Sequence, residues 1–205
     1  MLKKVLLLRQ VNDFALATPN EALAKLIYDR IGKKLQLPSE EDVPFKYLGL
    51  LEDFNGLNVK QYRDCTVVSC EAYIDRVLKT HGWDTPISES TKPTAPLPVD
   101  CINRIYKDVG QPENSKEHYD LVDKHGFKYR QLLGELLCAH VTCRPDIGCA
   151  VITLSKFSTC PADIHFTMLK KVAKYLRATK SWGIVYQRSS VDPSLPPRPD
   201  FGDLR

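Results

Sequence analysis

Apolar residues come first in a short run, Leu2 to Leu8 broken only by Lys3 and Lys4, which stops at Arg9; Phe14-Ala15-Leu16-Ala17 follows after Gln10-Val11-Asn12-Asp13. Asn and Asp tolerate turn conformations, so this pattern predicts a tight antiparallel hairpin. Thr18-Pro19-Asn20-Glu21 fits a capping box with proline at the first helical position. The helix it predicts carries Leu23, Leu26, Ile27 and Ile31 on one face, with Gly32 as its stop. Phe45 to Leu51 reads as a strand, Asn55-Gly56 as a hairpin turn and Leu57 to Tyr62 as the return strand. Ser69 reads as the cap of a helix over Tyr73, Ile74, Val77 and Leu78 that ends near His81-Gly82. Hairpins alternating with helices indicate an α+β fold rather than a parallel doubly wound sheet.

From Asp84 to Pro98 the chain holds Pro86, Pro93, Pro96 and Pro98 among Ser and Thr, a linker composition. Helical periodicity dominates beyond it. Short helices are predicted over Cys101 to Lys107 and Lys116 to Lys124, and a longer one over Tyr129 to Val141 with Leu132, Leu133, Leu136 and Leu137 as its stripe. Ile147 to Phe157 follows, then a long helix from Pro161 to about Thr179, and a last strand over Gly183 to Gln187. The domain reading is therefore 1–83, a linker at 84–100, a helical region at 101–187 and a second linker at 188–205.

Composition narrows the classes. Of 205 residues, 43% are hydrophobic and 26% charged, as expected of a chain that folds around a core rather than one that stays disordered. No run approaches the ~20 apolar residues of a membrane helix, and the leading run is shorter than the ~7–15 residues of a secretory core. No membrane association is expected. Seven cysteines without a C-x-x-C pair suit reduced thiols in an intracellular setting, cytoplasmic or nuclear, rather than a secreted disulfide framework. Cys138, His140, Cys143 and Cys149 resemble a zinc cluster at first sight, but they fall in a helical pattern and read better as ordinary thiols. Net charge is +4, unevenly spread: Tyr129 to Arg188 holds nine Lys or Arg against three Asp or Glu. Such a basic half favours an anionic partner, nucleic acid first.

The motifs sharpen this. A hairpin with an acidic tip followed by a helix is how nucleotide polymerases display carboxylates for two Mg²⁺ ions ~3.5–4 Å apart. Gln10-Val11-Asn12-Asp13-Phe14 resembles the Y-V-D-D motif of reverse transcriptases, and Phe45-Lys46-Tyr47-Leu48-Gly49-Leu50 resembles their F-x-Y-L-G strand. Tyr129-Arg130-Gln131-Leu132-Leu133-Gly134-Glu135-Leu136-Leu137 is similar to a Y-R-x-x-x-G-x-L-L helix, and Thr142-Cys143-Arg144-Pro145-Asp146-Ile147 to a T-R-P-D-I signature. Leu154-Ser155-Lys156-Phe157, Pro161, His165, Leu169-Lys170, Tyr175-Leu176, Thr179 and Gly183 then follow the copia-type order and spacing. Over nearly the whole chain the sequence resembles the later part of a copia-type retrotransposon reverse transcriptase.

That resemblance implies an α+β fold made of part of the palm followed by a mostly helical thumb and connection region, leading toward a ribonuclease H domain. It places Asp13 on the second motif aspartate and Asn12, a degenerate substitution, on the first, which ligates metal in active relatives. Mg²⁺ is the family's cofactor. With an amide at Asn12, Asp13 is expected to hold it weakly if at all. The family's other catalytic aspartate and its fingers belong to segments upstream of those matched here, so RNA-directed DNA polymerase activity is not expected of this chain by itself. The implied partner is a template–primer duplex of RNA and DNA, contacted without sequence reading through Lys170, Lys171, Lys174, Arg177 and Lys180. The competing reading is a non-catalytic nucleic-acid-binding or assembly module derived from the same element. Arg144 and Asp146 read as structural, with Arg144 paired to a carboxylate or carbonyls and Asp146 capping the next helix; His165 reads as a packed, hydrogen-bonded residue.

Overall fold

The computed structural model describes residues 5–10, 13–34, 47–86 and 92–198. Among them the chain is mixed α+β, with two antiparallel sheets and seven α-helices. It divides into two compact units between Asn55 and Gly56.

In the first unit β1 (Leu6–Gln10) and β2 (Asp13–Ala17) pair antiparallel from Leu6 opposite Ala17 to Gln10 opposite Asp13. The predicted hairpin is present, and Leu6, Leu7 and Leu8 are all exposed along β1. Helix α1 (Glu21–Lys34) follows. Its cap is Asn20 rather than Thr18: the Asn20 Oδ1 accepts from the Leu23 N–H at 3.0 Å, while the Thr18 hydroxyl donates to the Asn20 carbonyl. An Asx side chain two residues later wins the capping role, so Pro19 sits outside the helix. Gly32 does not stop α1, which runs on to Lys34. Of the strand expected over Phe45 to Leu51, Phe45 and Lys46 lie outside the described residues, and Tyr47 to Leu51 is not a strand. Gly49, at φ +83°, turns the backbone out of the extended region there. The strand before the turn is instead the two-residue β3 (Asp53–Phe54). Asn55 and Gly56, at φ +53° and +78°, take the left-handed pair of conformations that a two-residue hairpin turn demands.

The second unit begins with β4 (Leu57–Gln61) and β5 (Cys65–Ser69), joined in register from Asn58 opposite Ser69 to Gln61 opposite Thr66. On the other edge of β5 lies β6 (Gly183–Gln187), with Ser69 opposite Gly183 and Cys65 opposite Gln187. Strand β5 is thus central; it buries Cys65, Val67 and Ser69 on one face. Because Ser69 is the last strand residue, it does not cap helix α2 (Glu71–Thr80). Its partner strand supplies the cap: the Asn58 Oδ1 accepts from the Ala72 N–H at 3.2 Å.

Helices α3 (Ile102–Ile105), α4 (Lys116–His125), α5 (Tyr129–Thr142), α6 (Gly148–Ser155) and α7 (Asp163–Ala178) complete the unit. Ser115 caps α4 by accepting from the His118 N–H at 3.2 Å. The 3.6-residue stripes meet in one core: Ile74 and Leu78 of α2, Leu132, Leu133 and Leu136 of α5, Val151 and Leu154 of α6, and Phe166, Leu169, Val172 and Leu176 of α7. Leu137, expected in the stripe, is only partly buried at its edge. Among the described residues no helix is long and apolar enough to cross a membrane.

Candidate nucleic-acid interface

Helix α7 positions the basic residues. Its inward face, Phe166, Leu169, Val172, Ala173 and Leu176, is buried, and the same periodicity turns Lys170, Lys171 and Lys174 to solvent. Lys170 holds its ammonium 5.3 Å from the centre of the Trp83 ring, a cation–π distance. Arg177, two turns further, donates to the Trp83 carbonyl at 3.0 Å and to the Thr85 hydroxyl at 3.3 Å. Its buried Nε meets no hydrogen-bond partner among the described residues. Lys180 pairs with Asp75 at 2.8 Å, and that hydrogen bond raises its pKa. The five cations therefore divide. Lys170, Lys171 and Lys174 present charge outward, whereas Arg177 and Lys180 tie the end of α7 back to α2 and to the segment after it. Trp83 joins this face through contacts of 87 and 94 positions' separation, which no local pattern signals.

Behind the face lies a buried ionic knot. Arg144 is 1% exposed; its guanidinium donates Nε to Asp146 Oδ1 at 2.9 Å and Nη2 to Asp146 Oδ2 at 2.7 Å. The remaining donors reach the Thr179 carbonyl at 2.9 Å and the Thr179 hydroxyl at 2.7 Å, and the plane lies over the Tyr175 ring at 5.8 Å. Thr179 in turn donates its hydroxyl to the Tyr175 carbonyl. Burial pushes the Asp146 carboxyl up, but the Arg144 bonds outweigh it and hold the group below the ordinary carboxylate range. Asp146 does not cap α6, whose flanking residue Ile147 makes no side-chain cap. The carboxylate is drawn to the guanidinium instead, where two charge-assisted bonds exceed one capping bond. Arg144, Asp146, Tyr175 and Thr179 all belong to the ordered motif series, and here they lock the end of α5 to the end of α7.

His165 is fully buried. Its Nδ1 accepts from the Ala162 N–H at 2.8 Å, its Nε2 faces the Ile105 carbonyl at 2.8 Å, and the ring stacks on Phe157 at 4.0 Å. One neutral tautomer, protonated at Nε2, satisfies both bonds. Burial lowers its pKa, against the opposing pull of the Ile105 bond. Trp182 is 45% exposed and meets Tyr175 edge-on.

In the first unit Asp13 opens β2, exposed, in register with Gln10 of β1. Asn12 lies outside the described residues. Among those described, no group of three or more His, Cys, Asp or Glu is placed to hold a metal ion. A pair of magnesium ions requires several hard oxygen ligands, and the described part of the hairpin holds Asp13 as its one carboxylate. In the second unit Cys138 and Cys149 are exposed, whereas Cys143 is buried.

The series of motifs has counterparts in known proteins. The chain is 29% identical over 185 residues, 88% of its length, to a transposon Ty5-1 protein of Saccharomyces cerevisiae. It is 23% identical over 189 residues, 91% of its length, to the retrovirus-related Pol polyprotein from transposon RE2 of Arabidopsis thaliana. The chain is distantly related to retrotransposon Pol-derived proteins. It spans 51% of the Ty5-1 protein and 11% of the RE2 polyprotein. A shorter match, 34% identical over 63 residues, covers 31% of the chain and 44% of secreted RxLR effector protein 161 of Plasmopara viticola. No protein-family profile matches the chain, and no solved structure matches it.

Proposed function

We propose that this retrotransposon-related chain is a reverse-transcriptase-derived segment of a copia-type Pol that holds a nucleic-acid duplex and does not polymerise by itself. The observation that carries the binding reading is the outward set Lys170, Lys171 and Lys174 on a helix whose other side is anchored in the core. Ammonium groups on a rigid helix contact phosphates without reading bases, which suits a template–primer duplex of any sequence. On this reading residues 1–83 descend from the palm, 84–100 form the connecting segment, 101–187 descend from the thumb and connection region, and 188–205 lead toward a ribonuclease H domain. The setting is intracellular, cytoplasmic or nuclear. Asp13 is the one carboxylate in the described hairpin and follows an amide residue, Asn12, in the sequence, which favours the binding role over a catalytic one. No step through Mg²⁺ is assigned to it.

The test is fluorescence anisotropy with a labelled RNA–DNA hybrid, comparing the chain with Lys170→Gln/Lys171→Gln/Lys174→Gln, together with a Mg²⁺-dependent primer-extension assay. Binding by the parent, at least tenfold weaker binding by the triple variant, and no extension by either are expected. Equal affinity of parent and variant, or primer extension by this chain, contradicts the proposal.

A further inference from the structure

Helix α2 closes in a Schellman turn that sets Trp83 in place. Gly82, at φ +66°, supplies the left-handed residue; its N–H donates to the Lys79 carbonyl at 3.1 Å, and the Trp83 N–H donates to the Leu78 carbonyl at 2.8 Å. The Trp83 carbonyl accepts from Arg177 Nη1 at 3.0 Å, so its backbone is held by α2 on one side and α7 on the other. The indole is braced as well. The His81 ring stacks on it at 4.9 Å with 24° between the planes, and Phe127 meets it edge-on at 5.5 Å. Glu135 fixes His81 in turn, with Oε2 2.6 Å from Nε2.

Despite these supports the indole is only half-buried, and it emerges beside the exposed lysines of α7, with the Lys170 ammonium 5.3 Å from the ring centre. A rigid aromatic surface among cations is the arrangement that receives a nucleobase and its phosphate together. A cation–π contact at a solvent-exposed site is weak, so a flat base that changes places with the ammonium gains more from the ring than the ammonium loses. The released ammonium then gains a phosphate. Bases inside a duplex are already stacked on one another; an unpaired base at its end has a face to offer. Stacking on an indole tolerates any base, as lysine–phosphate contacts tolerate any sequence.

Resting on the reading of α7 as the phosphate-holding face, we propose that Trp83 is the platform on which an unpaired base stacks where the duplex ends, with Lys170 leaving the ring for the adjoining phosphate. The ligand class narrows from any duplex to a duplex that carries a single-stranded extension.

The experiment compares, by fluorescence anisotropy, one RNA–DNA hybrid in three forms: blunt, with a short single-stranded DNA extension, and with an abasic extension of the same length. Each extension is placed on either end of the DNA strand in turn. The parent should bind the better-placed base-bearing extension at least about fivefold more tightly than its abasic counterpart. That ratio should hold across a salt series, because the two extensions carry equal charge. Trp83→Leu should bring the ratio to about one while binding the blunt hybrid as the parent does. In Trp182→Phe, where Trp83 is the one tryptophan left, the base-bearing extension should quench the emission far more than the abasic one. Equal affinity of the parent for base-bearing and abasic extensions overturns the proposal, and so does a preference that persists in Trp83→Leu. Equal binding of all three hybrids removes Trp83 and leaves the lysine reading intact; failure to bind any of them removes both.

Discussion

Replacing Arg144 probes the junction on which the basic helix rests. The side chain makes four hydrogen bonds, two to the Asp146 carboxylate and two to Thr179, and is 1% exposed. Breaking a buried ion pair from one side costs about 3–5 kcal/mol when the abandoned charge stays buried. Asp146 retains 32% of its side-chain exposure, so water partly solvates the stranded carboxylate and the lower end applies. The Thr179 carbonyl still accepts from the Trp182 N–H at 3.0 Å and the Thr179 hydroxyl still donates to the Tyr175 carbonyl, so neither adds a further penalty. Arg144→Met is therefore expected to lose about 3 kcal/mol in urea unfolding, which in a chain of this size lowers the thermal midpoint by roughly 6–12 °C. Arg144→Lys keeps the charge but cannot reach both partners with a planar fork, so it should lose about half as much. In Arg144→Met/Asp146→Asn the second change removes the stranded charge, so the double variant should be less destabilised than the sum of the singles. A loss below about 1 kcal/mol for Arg144→Met, or strict additivity in the double variant, refutes the reasoning.

Other substitutions test the remaining structure. At Gly183 an added Cβ would lie 2.2 Å from the Val68 carbonyl oxygen, a backbone atom of the paired strand, so Gly183→Ala should cost about 1–3 kcal/mol by urea titration. Gly134 is exposed within α5 and an added methyl meets nothing within 4 Å, so Gly134→Ala should gain about 0.5–1 kcal/mol on the same scale. Ser115→Ala removes the cap of α4 and should cost about 1 kcal/mol, read in the same titration. His165 titrates lower in the folded chain than unfolded, so the unfolded state binds the extra proton and stability falls as pH drops below about 6.5. Comparing urea midpoints of parent and His165→Gln between pH 7.5 and 5 should show a smaller acid-side slope in the variant; an identical slope rejects that assignment.

How far the sequence alone could carry the fold depended on range. Helices α5 and α7 were legible because Leu132, Leu133 and Leu136, and Leu169, Val172 and Leu176, repeat at helical spacing within one segment. Strand β6 was legible as an element, but its partner β5 lies more than a hundred positions away, and the run Cys65-Thr66-Val67-Val68-Ser69 carries no alternation to announce it. Missing β5 also misassigned Ser69: a residue inside the ladder cannot serve as the cap, and Asn58 from the next strand takes that role. In the basic face, spacing alone marked Lys170, Lys174 and Arg177 as one stripe. It could not show that Arg177 and Lys180 are engaged by Trp83, Thr85 and Asp75, because those partners come from other segments.

The salt dependence of hybrid binding tests the central claim most directly. If Lys170, Lys171 and Lys174 each neutralise one phosphate, log affinity should fall against log salt concentration with a slope of about −3, and the triple glutamine variant should bring that slope close to zero. Binding by the parent that is flat across the salt series, or a slope the triple variant leaves unchanged, contradicts the assignment of α7 as the nucleic-acid face.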